Sequence, residues 1–337
     1  MQTENYIMVK KFAIPMNIAE LGELELIKKI SKNIKLFSKE IVKGIGDDTA
    51  VLKFDKKHYM LLTTDTLVED DHFNLKWFSA EQVGKKAIES NVSDIASMGG
   101  FPKYALISII LPKNTNINLI DKLYNGINKN CKKYKINIIG GNFSNGKNIV
   151  ISVTMIGLVE KKRLCLRSNA KVNDLIAVTG NLGASRAGLQ LLRNKKKGSS
   201  INYYLNPKCK LNIGRKLSNY VNAMEDISDG LASEVMHICD ESNVGAIIYK
   251  EKIPLNKDTI NDAKKVKKDP YDYALFGGED FELVFTIPKN KFKKLNKLKN
   301  KITIVGKILS KNNGIYLLHK NKKKKLSHGY DQFKSNL

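Results

Sequence analysis

The stretch EQVGKKAIESNVSDIASMGGFPKYALISIIL, residues 81–111, decides how the fold reads. From Glu81 to Met98 its apolar residues recur with helical spacing. Gly99-Gly100 and Pro102 end that helix, and Tyr104 to Leu111 follows as a buried strand. Ahead of it, Ala50 to Phe54 and Tyr59 to Thr64 read as two strands joined by the polar turn Asp55-Lys56-Lys57, and Ala19 to Ile30 reads as a helix. Behind it come a helix from Ile117 to Tyr134 and strands at Ile136 to Ile139 and Ile149 to Val159. Hairpin neighbours mixed with helical crossovers predict an α+β (mixed α/β) fold rather than a doubly wound parallel sheet.

A charged stretch, Glu160 to Arg163, opens a second series. Leu175 to Thr179 reads as a strand, Gly180-Asn181-Leu182-Gly183 as a tight turn, and Ser185 to Leu192 as a helix. After the polar loop Asn194 to Ser200 come helices at Lys210 to Tyr220 and Gly230 to Ser242. Strands follow at Gly245 to Tyr249, Phe281 to Ile287 and Ile302 to Val305. The expected division is two domains, residues 1–160 and 161–337, as the chain length suggests. No repeat with a period of about 20–50 residues is visible.

Composition narrows the function classes. Apolar residues make up 42% of the chain, which reads as globular. The longest apolar runs are too short to span a bilayer, and Lys10, Lys11, Lys28 and Lys29 interrupt any leader-like segment. Cys131, Cys165, Cys209 and Cys239 have no metal-ligand spacing, so free thiols in a reducing cytoplasm are expected. Lys and Arg exceed Asp and Glu by 58 to 33, a net charge of +25. The lysines are dispersed, with the densest runs at Lys195 to Lys197, Lys264 to Lys268 and Lys322 to Lys325. A bias on exposed positions explains them better than a nucleic-acid site, and neither a nucleic-acid nor a membrane partner is expected.

The chemistry lies where carboxylates meet glycines and hydroxyls. Gly44-Ile45-Gly46-Asp47-Asp48 places two acids in a glycine turn before a strand. Thr63-Thr64-Asp65-Thr66 ends the next strand, and Ser93-Asp94 sits inside an otherwise apolar helix segment, Asn91 to Met98. Asp226-Ile227-Ser228-Asp229-Gly230 and Gly277-Gly278-Glu279-Asp280 repeat the pattern later. Each alone also fits a structural role: an Asx turn for Asp47-Asp48, a hydrogen bond within its helix for Asp94, a helix N-cap region for Asp226 and Ser228. Together they form a set of hard oxygen ligands suited to Mg²⁺. The Walker phosphate loop is absent, and no Ser-His-Asp arrangement can be inferred. His72 stands out only for following Glu69, Asp70 and Asp71.

Taken in order, GIGDDTAVL (44–52), TTDTLVEDDHF (63–73), NVSDIASMGGFP (91–102), VTGNLGASRAGL (178–189), EDISDGLASEVMHI (225–238), FGGEDFELVFTIP (276–288) and HGYDQF (328–333) resemble the thiamine-monophosphate kinase family. Its superfamily contains aminoimidazole ribonucleotide synthetase and selenophosphate synthetase. The likeness runs from about Glu23 onward. The ending GYDQF and the segment TDTLVEDDHF favour the thiamine branch, and no cysteine precedes Cys131 to serve selenophosphate chemistry.

The resemblance implies an ATP- and magnesium-dependent enzyme that phosphorylates thiamine monophosphate by direct in-line transfer. It implies a homodimer whose N-terminal domains join their sheets in a shared barrel, with a layered α/β C-terminal domain completing the site. Asp48, Thr63, Thr64, Asp65, Asp94, Asp226 and Asp229 would hold magnesium, with Asp48, Asp65, Asp94 and Asp226 central to catalysis. Tyr124, Gly141, Arg167 and Ser228 match ATP-contacting positions, and His72, Glu279 and Tyr330 match substrate-contacting ones. Two departures stand out. The family's Gly-Gly-Asp-Thr reads Gly140-Gly141-Asn142-Phe143, so Asn142 keeps a ligand oxygen but loses the charge. The family's Gly-Asp-Ser reads Gly183-Ala184-Ser185, which removes another acid. The alternatives are another ATP-dependent member of the superfamily and an inactive descendant.

Overall fold

The computed structural model describes residues 17–295, 301–326 and 329–333. The chain divides into two compact units, residues 36–330 and, separately, residues 1–35 with 331–337. In the smaller unit, the helix expected over Ala19 to Ile30 is two helices, α1 (Ile18–Leu21) and α2 (Glu23–Ser31). The break falls at Gly22, whose φ of 78° belongs to the left-handed region that glycine adopts without a side-chain clash. The Asp331 carboxylate accepts from the Glu23 amide at 3.1 Å, tying the far end of the chain to the start of α2.

The larger unit begins with a six-stranded sheet. Its strands are β1 (Ile41–Lys43), β2 (Ala50–Lys53), β3 (His58–Val68), β4 (Phe101–Leu111), β5 (Asn137–Asn145) and β6 (Val150–Glu160), in the spatial order β1-β2-β3-β6-β4-β5. The β2–β3 hairpin forms at the expected turn, where the Asp55 carboxylate accepts from the amides of Lys57 and His58, each at 2.6 Å. Two strands outrun their expected ends. β3 pairs with β6 from His58 to Val68, which carries Asp65 inside the sheet. β5 continues through Gly140-Gly141 because it pairs parallel with β4 as far as Asn145. A Cβ at Gly141 would stand 1.9 Å from the Ile107 carbonyl oxygen, so the two strands approach this closely only because the residue is glycine.

Helices α3 (Ala80–Ser97) and α4 (Ile117–Tyr134) pack together over one face of this sheet. Ser79 caps α3 in a reciprocal capping box with Gln82. Val83, Ala87, Ile88, Val92 and Ile95 of α3 join Leu61, Ile107, Ile109, Ile151, Val153 and Met155 of the sheet in one core. Most of α3 is buried all round, because it also meets elements of the second half.

The second half contains helices α5 (Ala184–Arg193), α6 (Ile201–Leu205), α7 (Leu211–Leu217), α8 (Leu231–Ser242), α9 (Lys257–Lys265), α10 (Pro270–Phe276) and α11 (Lys289–Phe292). Its strands are β7 (Leu175–Thr179), β8 (Ala223–Asp226), β9 (Val244–Tyr249), β10 (Leu283–Ile287), β11 (Ile302–Ser310), β12 (Ile315–His319) and β13 (Lys322–Lys325). They form a seven-stranded sheet in the order β13-β12-β9-β11-β7-β10-β8. Separate apolar clusters occupy its two sides: Ile176, Val178 and Val284 with α8 and α10, and Ala177, Met224 and Phe285 with Leu217 of α7.

The expected mixed α/β class is the class observed. The sequence reading passed over β8, which is short and carries the acids Glu225 and Asp226 at its end. It also passed over α9 and α10, where charged residues mask the apolar spacing. Pro270 opens α10 behind the Asp269 cap, a local start signal.

Candidate active site

The site forms where α3 meets both sheets. β3 alternates its side chains, so Thr63 and Asp65 face α3 while Thr64 faces the other way. The Thr63 hydroxyl donates to the Asp94 carboxylate on α3, and Ser90 hydrogen-bonds Asp65. One turn further along α3, Ser97 donates to the Asp48 carboxylate from the glycine turn after β1. Ser93 donates to Asp226 at the end of β8 at 2.6 Å. Ser90, Ser93, Asp94 and Ser97 share one face of α3, so Asp48, Asp65 and Asp226, distant in sequence, gather with Asp94 along that face.

Their electrostatics follow from that crowding. Burial pushes the Asp94 carboxyl well above the usual range, and the neighbouring Asp65, Asp226 and Asp48 push it further. Burial and then Asp48 raise Asp226 in the same way. Asp65 is raised by burial, partly offset by Ser90 and by the charge of His72. Asp47, beside Asp48, is pushed up to about 7 by burial and its neighbour. Such mutual repulsion destabilises ionised carboxylates unless cations stand among them.

Arg167 supplies one fixed cation. Its guanidinium pairs with Asp48 and, at 2.8 Å, with Glu225, while its backbone amide donates to Asp47 at 3.1 Å. Burial works against the charge, but Glu225, Asp48 and Asp47 together hold Arg167 firmly protonated. Glu225 is clamped in turn by His237 at 2.9 Å, and His237 also meets Glu234 at 3.1 Å. Sequence reasoning missed Glu225, Glu234 and His237. Among the described residues they are the one His/Cys/Asp/Glu group whose ligand atoms all lie within 4.8 Å of one another. The two carboxylates raise the His237 imidazole to about 11 against the cost of its burial. Through Glu225 this trio positions the Arg167 guanidinium. Glu234 also accepts from the amides of Ser228 and Asp229, at 3.1 and 2.7 Å, which fixes that loop.

The acids around α3 are spread more widely than that trio. Their hard oxygens fit Mg²⁺, which keeps several waters and takes only one or two carboxylates per ion. Asp48, Thr63, Asp65, Asp94 and Asp226 are therefore the residues whose chemistry fits the metal.

Other expected residues lie elsewhere. His72 follows β3, and its Nδ1 accepts from the Val68 amide at 3.2 Å. Glu279 pairs with Lys86 of α3 at 2.6 Å and donates its amide to the Ser228 carbonyl at 2.7 Å. The Tyr330 amide donates to the Asp229 carbonyl at 3.2 Å, and burial, then Asp71 and Asp229, raise its phenol to about 12. His328 of the same motif lies outside the described residues. Glu279 also lines a cleft of about 310 Å³ with Asn181, Ser185, Asn206, Lys208 and Lys210. The acid missing at Ala184 leaves α5 capped all the same, because Asp280 accepts from the amides of Gly183 and Ser185 at 2.6 and 3.3 Å.

Thr64, Gly141, Asn142 and Tyr124 are not gathered with the acids. Thr64 meets Thr154 at 3.2 Å on the face turned away from α3. Asn142 lies on the edge strand β5, in register with Ser108 and bonded to Ser144 at 3.1 Å. Tyr124 of α4 stacks loosely on Phe143, with ring centroids 6.3 Å apart. The lysine runs are less scattered in space than in sequence, since Lys265 donates to the Lys197 carbonyl at 2.9 Å.

Residues 46–159 match the family model for the AIR synthase related protein, N-terminal domain, and residues 171–318 match the one for its C-terminal domain. The thiamine-monophosphate kinase of Aquifex aeolicus is 40% identical, over 82% of this chain and 89% of the relative. That of Buchnera aphidicola subsp. Schizaphis graminum is 41% identical, over 90% of this chain and 96% of the relative. Among solved structures, AaThiL complexed with AMPPCP and TMP superposes with a TM-score of 0.83 at 37% identity, covering 94% of this chain and 99% of that one.

Proposed function

The chain belongs to the thiamine-monophosphate kinase family of AIR synthase related proteins, and on that premise we propose that it phosphorylates thiamine monophosphate from ATP, giving thiamine diphosphate by direct in-line transfer. The observation that carries the reading is the gathering of Asp48, Asp65 and Asp226 with Asp94 along one face of α3, faced by Arg167. The nucleophile is a phosphate oxygen of the substrate. A phosphomonoester's second pKa is near 6, so it is ionised at neutral pH and needs no general base. Two anions must nevertheless approach in line. Magnesium, when bound, supplies charge neutralisation between them.

The chain's own residues orient and screen the reactants. Asp48, Thr63, Asp65, Asp94, Asp226 and Asp229 present oxygens to the metal. Arg167, locked by Asp48 and Glu225, meets the nucleotide phosphates without having to reorganise. Ser228 contributes on the nucleotide side of the loop fixed by Glu234. His72, Glu279 and Tyr330 receive the substrate, with Glu279 at the wall of the cleft.

Thr64, Gly141, Asn142 and Tyr124 complete the site only from a second copy, and we propose a homodimer. The sheet face turned away from α3 and α4 supports this. There Tyr104, Leu106 and Ile110 of β4 are 43, 39 and 36% exposed, an apolar surface suited to a shared barrel. The proposed domains remain residues 1–160 and 161–337. Among the described residues no helix is long and apolar enough to cross a membrane, and the four cysteines are free, which agrees with a cytoplasmic setting.

The test is a coupled assay of ADP release with thiamine monophosphate, with and without Mg²⁺, and chromatographic recovery of thiamine diphosphate. Magnesium-dependent product supports the reading. Turnover with an aminoimidazole precursor or selenide instead would overturn it.

A further inference from the structure

Lys86 is wholly buried on α3, where an unpaired ammonium would carry a large desolvation cost. Its nitrogen lies 2.6 Å from Glu279 Oε1 and donates to the His72 carbonyl at 2.7 Å. It also sits 5.4 Å from the Phe78 ring centroid and 5.0 Å from that of Tyr204. Those two rings meet edge to face at 5.1 Å and close off the ammonium. One nitrogen therefore ties the helix that carries Asp94 to both segments assigned to the substrate.

Glu279 is held unusually firmly for a loop residue. Its φ is 64°, a left-handed conformation that costs energy for a residue with a side chain. The amide bond to Ser228 holds its backbone, and Lys86 holds one oxygen of its carboxylate. The side chain remains 27% exposed, so the rest of the carboxylate can face the cleft.

We propose that Lys86 is a positioning residue for substrate recognition, fixing Glu279 as an oriented hydrogen-bond acceptor and cancelling its charge. A carboxylate already paired with a buried ammonium offers little net field to the cationic thiazolium. It still offers an aimed lone pair, which suits an N–H donor such as the aminopyrimidine amine. This rests on the reading of Glu279 as a substrate-side residue.

The experiment is steady-state kinetics on Lys86→Met, Glu279→Gln and the double variant, with thermal unfolding measured with and without Mg-ATP. Lys86→Met should raise the KM for thiamine monophosphate on the order of 10-fold, the usual scale for removing a partner that orients a functional group. The KM for ATP and the unfolding shift caused by Mg-ATP should stay within about twofold of the unchanged chain. In the Glu279→Gln background, Lys86→Met should add less than about twofold, because the two act as one unit. Equal rises in both KM values, or additive effects in the double variant, would overturn the proposal. Should Lys86→Met fail to fold, Lys86→Met with Glu279→Leu removes both charges together. That variant should be more stable than Glu279→Leu alone and keep the raised KM for thiamine monophosphate; a double variant less stable than Glu279→Leu would overturn the pairing. Absence of turnover by the unchanged chain would overturn the substrate reading itself, whereas normal turnover with an unaffected Lys86→Met would overturn only the positioning role.

Discussion

The two sheets of this protein bury themselves differently. In the second, the adjacent strands β7, β10 and β8 are buried almost end to end, with apolar clusters on both sides. In the first, β6 alternates throughout and β4 from Tyr104 onward, because α3 and α4 cover one face alone. That end of the second sheet is covered on both faces, while the first sheet leaves Tyr104, Leu106 and Ile110 exposed on its bare face. The covered face of the first sheet turns Asp65 towards Asp94 of α3, and its bare face and edge carry Thr64, Gly141 and Asn142. Under the proposed function the two faces have separate purposes, and four variants break or sharpen that division.

The largest effect is expected from Asp94→Ala on α3, opposite the covered face. Turnover should fall by roughly 10²–10³-fold, the scale of losing a group that stabilises developing charge. Thermal stability should hold or rise, because the change removes a carboxylate crowded by Asp65, Asp226 and Asp48. Near-normal turnover at saturating Mg²⁺ would move the chemistry away from this face. On the bare face, Leu106→Lys combined with Ile110→Lys should halve the mass seen by sedimentation and cut activity at least about tenfold, as losing a central interface patch does. A variant that keeps both its mass and its activity would show that this face does not join two copies.

Arg215 probes the join between the first sheet and α7. Its guanidinium grips Glu160 at 2.6 and 2.8 Å and donates to the Gly99 carbonyl at 2.8 Å. Arg215→Ala should lower stability by about 1 kcal/mol or less, given that the pair is partly exposed. Hydrogen bonding from Arg215 pulls the Glu160 carboxyl down from 4.5 to about 2. A lowered carboxyl pKa stabilises the fold above the unfolded value and loses that contribution as pH falls through the folded one. The gap in melting temperature between the two proteins should therefore be full at neutral pH and shrink from about pH 4.5 towards 2. The guanidinium also lies 5.1 Å from the Phe101 ring centroid, and a gap that did not depend on pH would assign the effect to that packing instead.

The smallest effect belongs to Asn142→Asp. A neutral amide coordinates Mg²⁺ through its carbonyl oxygen but adds no charge. Restoring the acid should lower the Mg²⁺ concentration for half-maximal rate by about two- to threefold, the scale of one added charge in a solvent-exposed site. The KM for thiamine monophosphate should not change. Superimposable magnesium titrations would remove Asn142 from the metal set.

Much of this molecule was legible in its residues. The helix at Ile117 to Tyr134 and the strand at Leu175 to Thr179 came out at their observed ends. Their apolar spacing is regular, and capping or turn residues bound both. Strand ends were misjudged where polar site residues interrupt the pattern: β3 runs on through Asp65, and β5 through two glycines and Asn142. The resemblance supplied the acids, but nothing local marked Glu225, Glu234 and His237 as a clamp on Arg167. Their partners are brought near only by the packing of α8 on the sheet. Lys86 carries no local mark of its burial, since it stands beside Lys85 in a helix that holds several other polar residues.

By itself the sequence determined the mixed α/β class, the family and the acids with metal-binding chemistry. Those depend on residue type, short-range periodicity and the order of motifs, all of which are properties of a string. Only the tertiary structure decided which acids face one another, that Lys86 is buried against Glu279, and which sheet face stays bare. It also brought Lys265 against Lys197, joining two lysine runs that lie far apart in the sequence. The reason is that burial and electrostatic coupling depend on distances through space, and α3 closes those distances by packing on both halves of the chain.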